Sequence, residues 1–478
     1  MFARAKNALY GQKLDWKIDT KQLFALFCDK PWAMLLDSAN ADHPDAKLDI
    51  IAINPIATLT SDEGRCQFTA IDSNIKQLDI TYPDALTPLE TLAHTHNLLY
   101  PYQQACEHPF SVGAVGAWGY DLGRSIEKLP QKANKDIHLK EMNIGFYDFC
   151  LLYSYAKSSW FAYHFNGKTA LEVELNLIQS KIKSSLENTH KPKKAPHDFI
   201  LTSTWQNQIT EHQYQQKFDQ VQQYLLSGDC YQINLTQRFE AQYQGDEWQA
   251  YCALSRANQA PFSAFMRFPE HCVLSISPER FIQLQHNHIE TKPIKGTLPR
   301  SADPELDQLA ANKLSTSEKD RAENVMIVDL LRNDIGKVAA PGSVKVPTLF
   351  AIESFPAVHH LVSTVTATLA ADHNAFDLLQ AAFPGGSITG APKIRAMQII
   401  EELEPSRRNQ YCGSIGYISQ DGNMDTSITI RTLVTEQNNI YCWAGGGIVA
   451  DSNVKAEYQE SFDKVSKILP LLASLNAK

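Results

Sequence analysis

"AGGGIVADSNVKAEYQESFDK", residues 444–464, sets the end of a strand directly against the start of a helix. The strand reads from "IYCWAGGGIVA" (440–450), and the helix runs over 455–475. Three consecutive glycines at a strand end let backbone approach a ligand closely, although a bulge or turn would use them equally well. On the helix, Glu457, Glu460 and Lys464 follow spacings of three and four, which put them on one face. That face is either a solvated ion-pair surface or part of a site for a hard cation. Strand and helix meet here outside any regular βαβ alternation, which points to α+β rather than a doubly wound sheet.

The rest of the second half repeats this mixture. "QKFDQVQQYLLSG" (216–228) carries Phe218, Val221 and Leu225 at helical spacing, with Gly228 placed for a C-terminal cap. "CYQINLTQRFE" (230–240) alternates as a strand. "CVLSISPERFIQL" (272–284) is a strand pair interrupted at Ser277-Pro278. "SEKDRAENVMIVDLLRND" (317–334) is a helix with Val325, Val328 and Leu331 on one stripe, and "TSITIRTLV" (426–434) is a strand. Upstream, "SLENTHKPKKAPHDF" (185–199) is polar and basic with two prolines, the mark of a linker. The chain therefore divides into an amino-terminal domain over 1–185, a linker over 186–205 and a second domain over 206–470.

The 478 residues carry a net charge of −9 and no basic tract longer than "KPKK" (191–194), which argues against a phosphate-binding face for nucleic acid. No apolar run is long enough to span a membrane, and the N-terminus lacks the apolar core of a secretory signal. Nine scattered cysteines without a C-x-x-C pair fit reduced thiols in a cytoplasmic protein and argue against a zinc site.

Four features carry chemistry. "GGSITGAPK" (385–393) has the glycine spacing of a phosphate loop but lacks the Lys-Ser/Thr that such a loop needs. It is either a tight packing turn or a helix-opening loop whose free N–H groups suit a carboxylate. Arg431, which follows isoleucines at 428 and 430 in "SITIRTLV", needs either a carboxylate partner or an edge position. Glu323, near the start of its helix, is either solvated or one of two glutamates sharing a cation with Glu460. Lys295, in "PIKGTLPR" (293–300), sits beside Gly296. On a surface it means nothing; in a pocket it is a candidate nucleophile. At an unperturbed pKa near 10.4, only about 0.1% of it is neutral near pH 7.4, so burial or a nearby cation must lower that value.

The order of "DCYQINLTQRF", "SPERF", "PIKGTLPR", "KDRAENVMIVDLLRNDIGKV", "FPGGSITGAPK", "CGSIGYIS" and "AGGGIVADSNVKAEYQESFDK" resembles the chorismate-binding enzymes, most strongly over 208–466. The family includes anthranilate, isochorismate, salicylate and aminodeoxychorismate synthases. The amino-terminal third is similar more loosely, through "LLDSANADHP" and "VGAWGYDLGR". The resemblance implies two large β-sheets packed as a sandwich with helices outside, as in anthranilate synthase component I.

It also implies roles. Anthranilate synthases carry alanine in "PIAGT"; lysine there is similar to the aminodeoxychorismate branch, where the amine adds at C2 of chorismate as the C4 hydroxyl leaves, and ammonia then attacks C4 and expels the amine. That product leads to 4-aminobenzoate and folate. Glu279 matches the general acid for the leaving C4 hydroxyl, and His360 a histidine beside the ring. Glu323 and Glu460 match magnesium (Mg2+) ligands, with Glu457 as a further residue of the metal shell. Thr389, Tyr417, Arg431, Gly446, Gly447 and Lys464 match residues holding the substrate's carboxylates. Gln232 occupies the position of the water-activating lysine of isochorismate and salicylate synthases, and glutamine is no base. Ser38 and "PFSAF", through Pro261, Phe262 and Ser263, match a tryptophan pocket, although Asp37 replaces the glutamate of "LLES". With no glutaminase-like segment in the chain, the resemblance implies a separate glutamine amidotransferase subunit as the source of ammonia. The alternatives within the same resemblance are an anthranilate synthase component I and a non-catalytic subunit that binds chorismate or tryptophan.

Overall fold

The computed structural model describes residues 8–77, 82, 86–187, 198–354 and 358–475. Residues 188–197, half of the predicted linker, lie outside the described residues.

Two large sheets form the body. The larger has 13 strands and the smaller 11. The order across the larger sheet begins with Tyr10–Leu14, Ser159–His164, Phe149–Ser154, Leu48–Ala52 and Ala33–Asp37. It continues through Phe262–Arg267, Cys272–Ser277, Thr432–Glu436, Asn439–Ile448 and Gln232–Gln244. The smaller sheet runs from Ile294–Pro299 and Val358–Thr368 through Arg280–Gln285, Met424–Ile428 and Ser414–Ser419 to Gly113–Trp118, Met142–Tyr147 and Ala57–Asp62. Both sheets are thus built from both sides of the predicted linker. The join in the larger sheet pairs Ala33–Asp37 with Phe262–Arg267, and in the smaller Gly113–Trp118 with Ser414–Ser419.

The inward faces share one core, in which Met34 and Ile50 of the larger sheet meet Val115 and Ile415 of the smaller. The outer face of the larger sheet is covered by the helices Thr20–Phe24, Lys168–Glu187, Glu247–Asn258 and Leu469–Ser474 around Phe24, Leu171, Trp248 and Leu472. This is the α+β sandwich with outer helices that the family resemblance implies. Among the described residues no helix is long and apolar enough to cross a membrane.

Three local expectations change. The segment 426–434 is not one strand: Met424–Ile428 belongs to the smaller sheet, Thr432–Glu436 to the larger, and Arg431 between them has φ +51°. The terminal helix divides into Val454–Asp463 and Leu469–Ser474 because Pro470 cannot donate back into the preceding turn. Helix Glu318–Gly336 buries Asn324, Ile327, Val328, Leu331 and Asp334, whereas Val325 is exposed. Its face is rotated by polar ties: Ser363 Oγ donates to Asn324 Oδ1 (2.5 Å), and Lys393 Nζ pairs with Asp334 (2.6 Å).

One buried ion pair pins the loop that opens helix Lys393–Leu403. Arg408 donates through Nε and Nη2 to both oxygens of Glu404 (2.9 and 2.7 Å), and through Nη1 to the carbonyl of Ile388 (2.9 Å). Glu404 also accepts from Thr236 N and Oγ1. Removing one member strands the other charge in the interior. Arg408→Ala should therefore lower stability by about 3–5 kcal/mol, read as a fall in the urea midpoint, while Arg408→Met with Glu404→Met recovers most of it.

Candidate active site

Lys295 lies on strand Ile294–Pro299, opposite Leu361, and the register slips by one residue before Thr297 pairs with His360. The slip is a bulge at Gly296, which has φ +76°. A Cβ on Gly296 would come within 2.8 Å of Leu314 and 2.9 Å of Asp320, so glycine is required for both conformation and space. Bulges re-aim side chains. Here Lys295 turns inward, and its Nζ donates to the carbonyl of Ser387 at 3.2 Å. Burial pushes its pKa below the usual lysine value, against the upward pull of Glu323 and Glu279. Among the described residues its amine has no carboxylate at ion-pair distance.

Glu279 and Arg431 stand at two adjacent crossings between the sheets. Cys272–Ser277 leaves the larger sheet and re-enters the smaller as Arg280–Gln285, with Glu279 at the corner. Met424–Ile428 crosses the other way through Arg431. The corners are tied by Ile428 N donating to Glu279 O and Ile276 N to Arg431 O, each at 3.1 Å. Glu279 is 6% exposed, and burial pushes its carboxyl up to about 7 against the pull of Lys295 and of the Ser387 hydroxyl, which donates to Oε1 at 3.1 Å. His360 meets Thr297 Oγ1 through Nδ1 (2.8 Å); burial, with Arg431 second, pushes it down to about 4, so it is a neutral imidazole at pH 7.

The glycine strand and the terminal helix close the other wall. A Cβ on Gly446 would lie 3.0 Å from Glu457 Oε2 and 3.1 Å from Glu460 Oε1, and one on Gly447 only 2.1 Å from the Gln232 amide. Gln232 is fully buried, and neither of its side-chain polar atoms has a partner among the described residues. Glu457 is buried, with Oε1 accepting from Ser452 and Oε2 unpartnered among the described residues. Lys464 donates to Gly445 O (2.6 Å) and pairs with Glu460 (2.7 Å). Burial raises the pKa of Glu323, with Lys295, Lys319 and Glu457 among the charges it feels. No group of three or more metal-ligating side chains stands assembled among the described residues.

Two predicted substrate contacts sit differently. Thr389 is fully buried and donates its hydroxyl to Gly385 O (3.1 Å) and its N–H to Gly386 O (3.3 Å), so both donors serve its own loop. Tyr417 is not placed among these residues. Strand alternation puts it beside Ile415 on the wall of a separate inter-sheet cavity of about 300 Å³, packed on Phe110 at 4.8 Å. That cavity is the one lined by Ser38, Pro261, Phe262 and Ser263, together with Arg280 and Asp425. The Ser38 turn is held by Asp49, which accepts from Ser38 N (2.8 Å), and by Asp37, which accepts from Tyr251 and Ser255. Sequence reasoning passed over Ser387 and Thr297, because small hydroxyl residues in a turn or strand carry no local signal of function.

The family profile "chorismate binding enzyme" matches residues 33–470, which include both sheets' crossings. The chain belongs to that family. It is 53% identical over 459 residues to the aminodeoxychorismate synthase component 1 of Salmonella typhimurium, covering 95% of this chain and 96% of that one. It is 52% identical over 458 residues to the aminodeoxychorismate synthase component 1 of Escherichia coli, covering 96% and 97%. Its fold matches the crystal structure of anthranilate synthase component I from Streptococcus pneumoniae with a TM-score of 0.75 and 30% identity, over 90% of this chain and 93% of that one.

The raised carboxyl of Glu279 has a thermodynamic consequence. An acid with a higher pKa in the folded state holds its proton more tightly there, so it costs stability as pH rises from about 4.3 towards 7 and above. Glu279→Gln should raise the melting temperature more at pH 8 than at pH 5. An equal shift at both pH values would mean that Glu279 titrates normally.

Proposed function

We infer that this chain is an aminodeoxychorismate synthase component 1, which converts chorismate and ammonia to 4-amino-4-deoxychorismate and water. The observation that carries the chemistry is Lys295: a lysine turned inward by a bulge, its pKa lowered by burial, with no carboxylate paired to it among the described residues. Anthranilate synthases have alanine in this motif.

The neutral Lys295 amine attacks C2 of chorismate as both ring double bonds shift and the C4–O bond breaks. Glu279, protonated near neutral pH, gives its proton to the departing C4 oxygen, which leaves as water. The new secondary ammonium returns a proton to Glu279. Ammonia then attacks C4, both double bonds shift back, and the C2–N bond breaks, with Glu279 giving its proton to the departing Lys295 nitrogen and taking one from the new C4 ammonium. One allylic substitution becomes two, each with a better-placed nucleophile. Arg431, Lys464 and the backbone at Gly446–Gly447 hold the substrate's carboxylates, and neutral His360 lies against the ring. Gln232 offers no base to water, so hydroxylation does not compete.

Magnesium fits the acidic wall: Glu323 and Glu460 would hold it, and the unpartnered, buried Oε2 of Glu457 leaves charge for it to neutralise. Bound there, it would neutralise the ring carboxylate and draw electrons from the ring. The cavity at Ser38 is of a size for one aromatic amino acid, tryptophan by resemblance, with Phe262 and Tyr417 as aromatic walls. The relatives' name, component 1, implies a second component. For a reaction that consumes ammonia, that partner is a glutamine amidotransferase, and the setting is the cytoplasm. Only about 1% of free ammonia is unprotonated near pH 7.3, and delivery from a docked partner overcomes this through local concentration.

Incubated with chorismate, magnesium and ammonium, the chain should form 4-amino-4-deoxychorismate; anthranilate with pyruvate would overturn the reading. Without ammonia, intact-mass analysis should show an adduct of chorismate minus water, absent in Lys295→Ala. That variant should lose at least about 100-fold in kcat at low ammonium. Glutamine should support turnover only when the amidotransferase is added, and the activity of the isolated chain should rise with pH towards that of ammonia's own ionisation.

A further inference from the structure

The mechanism needs two groups in their uncharged forms at once: a lysine that keeps its lone pair and a carboxylic acid that keeps its proton. A buried lysine and glutamate facing one gap tend to do the opposite. Each favours the charge of the other, and the pair collapses to an ion pair in which neither can act. Lys295 and Glu279 feel one another electrostatically, yet they do not form an ion pair among the described residues. What lies between them is one residue. Ser387 accepts from Lys295 Nζ through its backbone carbonyl (3.2 Å) and donates through its hydroxyl to Glu279 Oε1 (3.1 Å).

Ser387 cannot drift. It is the middle residue of the short turn Gly386–Ile388. Before it, Gly386 is so close to Leu330 that a Cβ there would lie 2.6 Å from its Cδ2. After it, the carbonyl of Ile388 is held by Arg408 Nη1 and Asn234 Nδ2, each at 2.9 Å. Lys393 Nζ holds the carbonyls of Ala382 and Pro384 just upstream. The loop is therefore a fixed bracket, and the two hydrogen bonds of Ser387 are its working end.

We propose that Ser387 is a positioning residue: it keeps the acid and the amine apart, and by donating to Oε1 it leaves Oε2 as the oxygen that carries the proton to the substrate. The inference rests on the roles given to Lys295 and Glu279 above. The charged groups facing Glu279 are Lys295 from the bulged strand, Lys464 from the terminal helix and Arg431 from the neighbouring crossing. The Ser387 hydroxyl and the Ile294 N–H add hydrogen bonds that favour the ionised carboxylate, against the burial that opposes it. Loss of the hydroxyl should therefore let the Glu279 pKa rise further.

The test compares Ser387→Ala, Ser387→Gly and Ser387→Thr in the full chain, with chorismate and magnesium, at a fixed concentration of unprotonated ammonia. Ser387→Ala should lose about tenfold or more in kcat while KM for chorismate stays within about twofold, because what is lost is the placement of a general acid rather than substrate binding. The limb of the kcat/KM profile set by Glu279 should move to higher pH. Ser387→Gly should behave alike, and Ser387→Thr, which keeps the hydroxyl, should restore both rate and profile. Melting curves check that the variants fold. Wild-type kcat and an unmoved pH profile in Ser387→Ala and Ser387→Gly, with Glu279→Gln and Lys295→Ala both impaired, would overturn the inference alone. If Glu279→Gln and Lys295→Ala themselves keep full turnover, the assigned chemistry is wrong and the inference falls with it.

Discussion

Two neighbouring strands leave one sheet and enter the other at the same place, and the candidate active site exists because of it. A sandwich normally keeps its two sheets about 10 Å apart and fills the space with apolar side chains. At 278–279 and 429–431 the chain passes between the layers, so its side chains belong to neither inward face. The exposed peptide groups are satisfied between the two crossings themselves, through Ile428 N to Glu279 O, Ile276 N to Arg431 O and Ser277 Oγ to Ile428 O. With the backbone settled locally, Glu279 and Arg431 are free to face the gap. The bulge at Gly296, the loop at Ser387 and the glycine strand at 445–447 then bring the remaining groups to that gap from three sides.

The molecule treats buried charge in two ways. Arg408 and Glu404 are paired through two hydrogen bonds, with Thr236 and the carbonyl of Ile388 as further partners; their business is to hold a loop. Around Lys295, Glu279 and Glu457 the pairing is left incomplete, and the pKa values move as burial dictates. Unpaired buried charge is costly. It is tolerable here because two extensive apolar cores flank the crossings, and burial lowers the lysine's pKa and raises the glutamic acid's, which favours the uncharged form of each.

Much of the site was legible as residue types in order: a lysine beside a glycine, carboxylates on two helices, three glycines ending a strand. The apolar alternation also gave most strands their place in the chain. What could not be read is where a strand changes sheet. "SITIRTLV" keeps its alternation straight through Arg431, since both layers ask for the same pattern, and only the left-handed conformation at that residue betrays the crossing. The helix at 318–336 misled for a related reason. Its inward face holds Asn324 and Asp334, tied by hydrogen bonds and a lysine, and hydrophobic periodicity counts such residues as outward. Tyr417 shows a third limit: its motif neighbours the site in sequence, but alternation along its strand turns the ring into the other cavity.

The interleaving of early and late strands also sets a timetable for synthesis. Gly113–Trp118 closes on Ser414–Ser419, and Ala33–Asp37 on Phe262–Arg267. On a ribosome adding about 5–20 residues per second, the first of these partners emerges roughly 15–60 s after the strand that awaits it. Through that interval Gly113–Trp118, apolar on both faces, offers an unpaired edge to any other nascent chain. A protein whose two halves complete each other's sheets cannot fold by halves. Its exposure to chaperones is written into the strand order as firmly as its chemistry is written into the crossings.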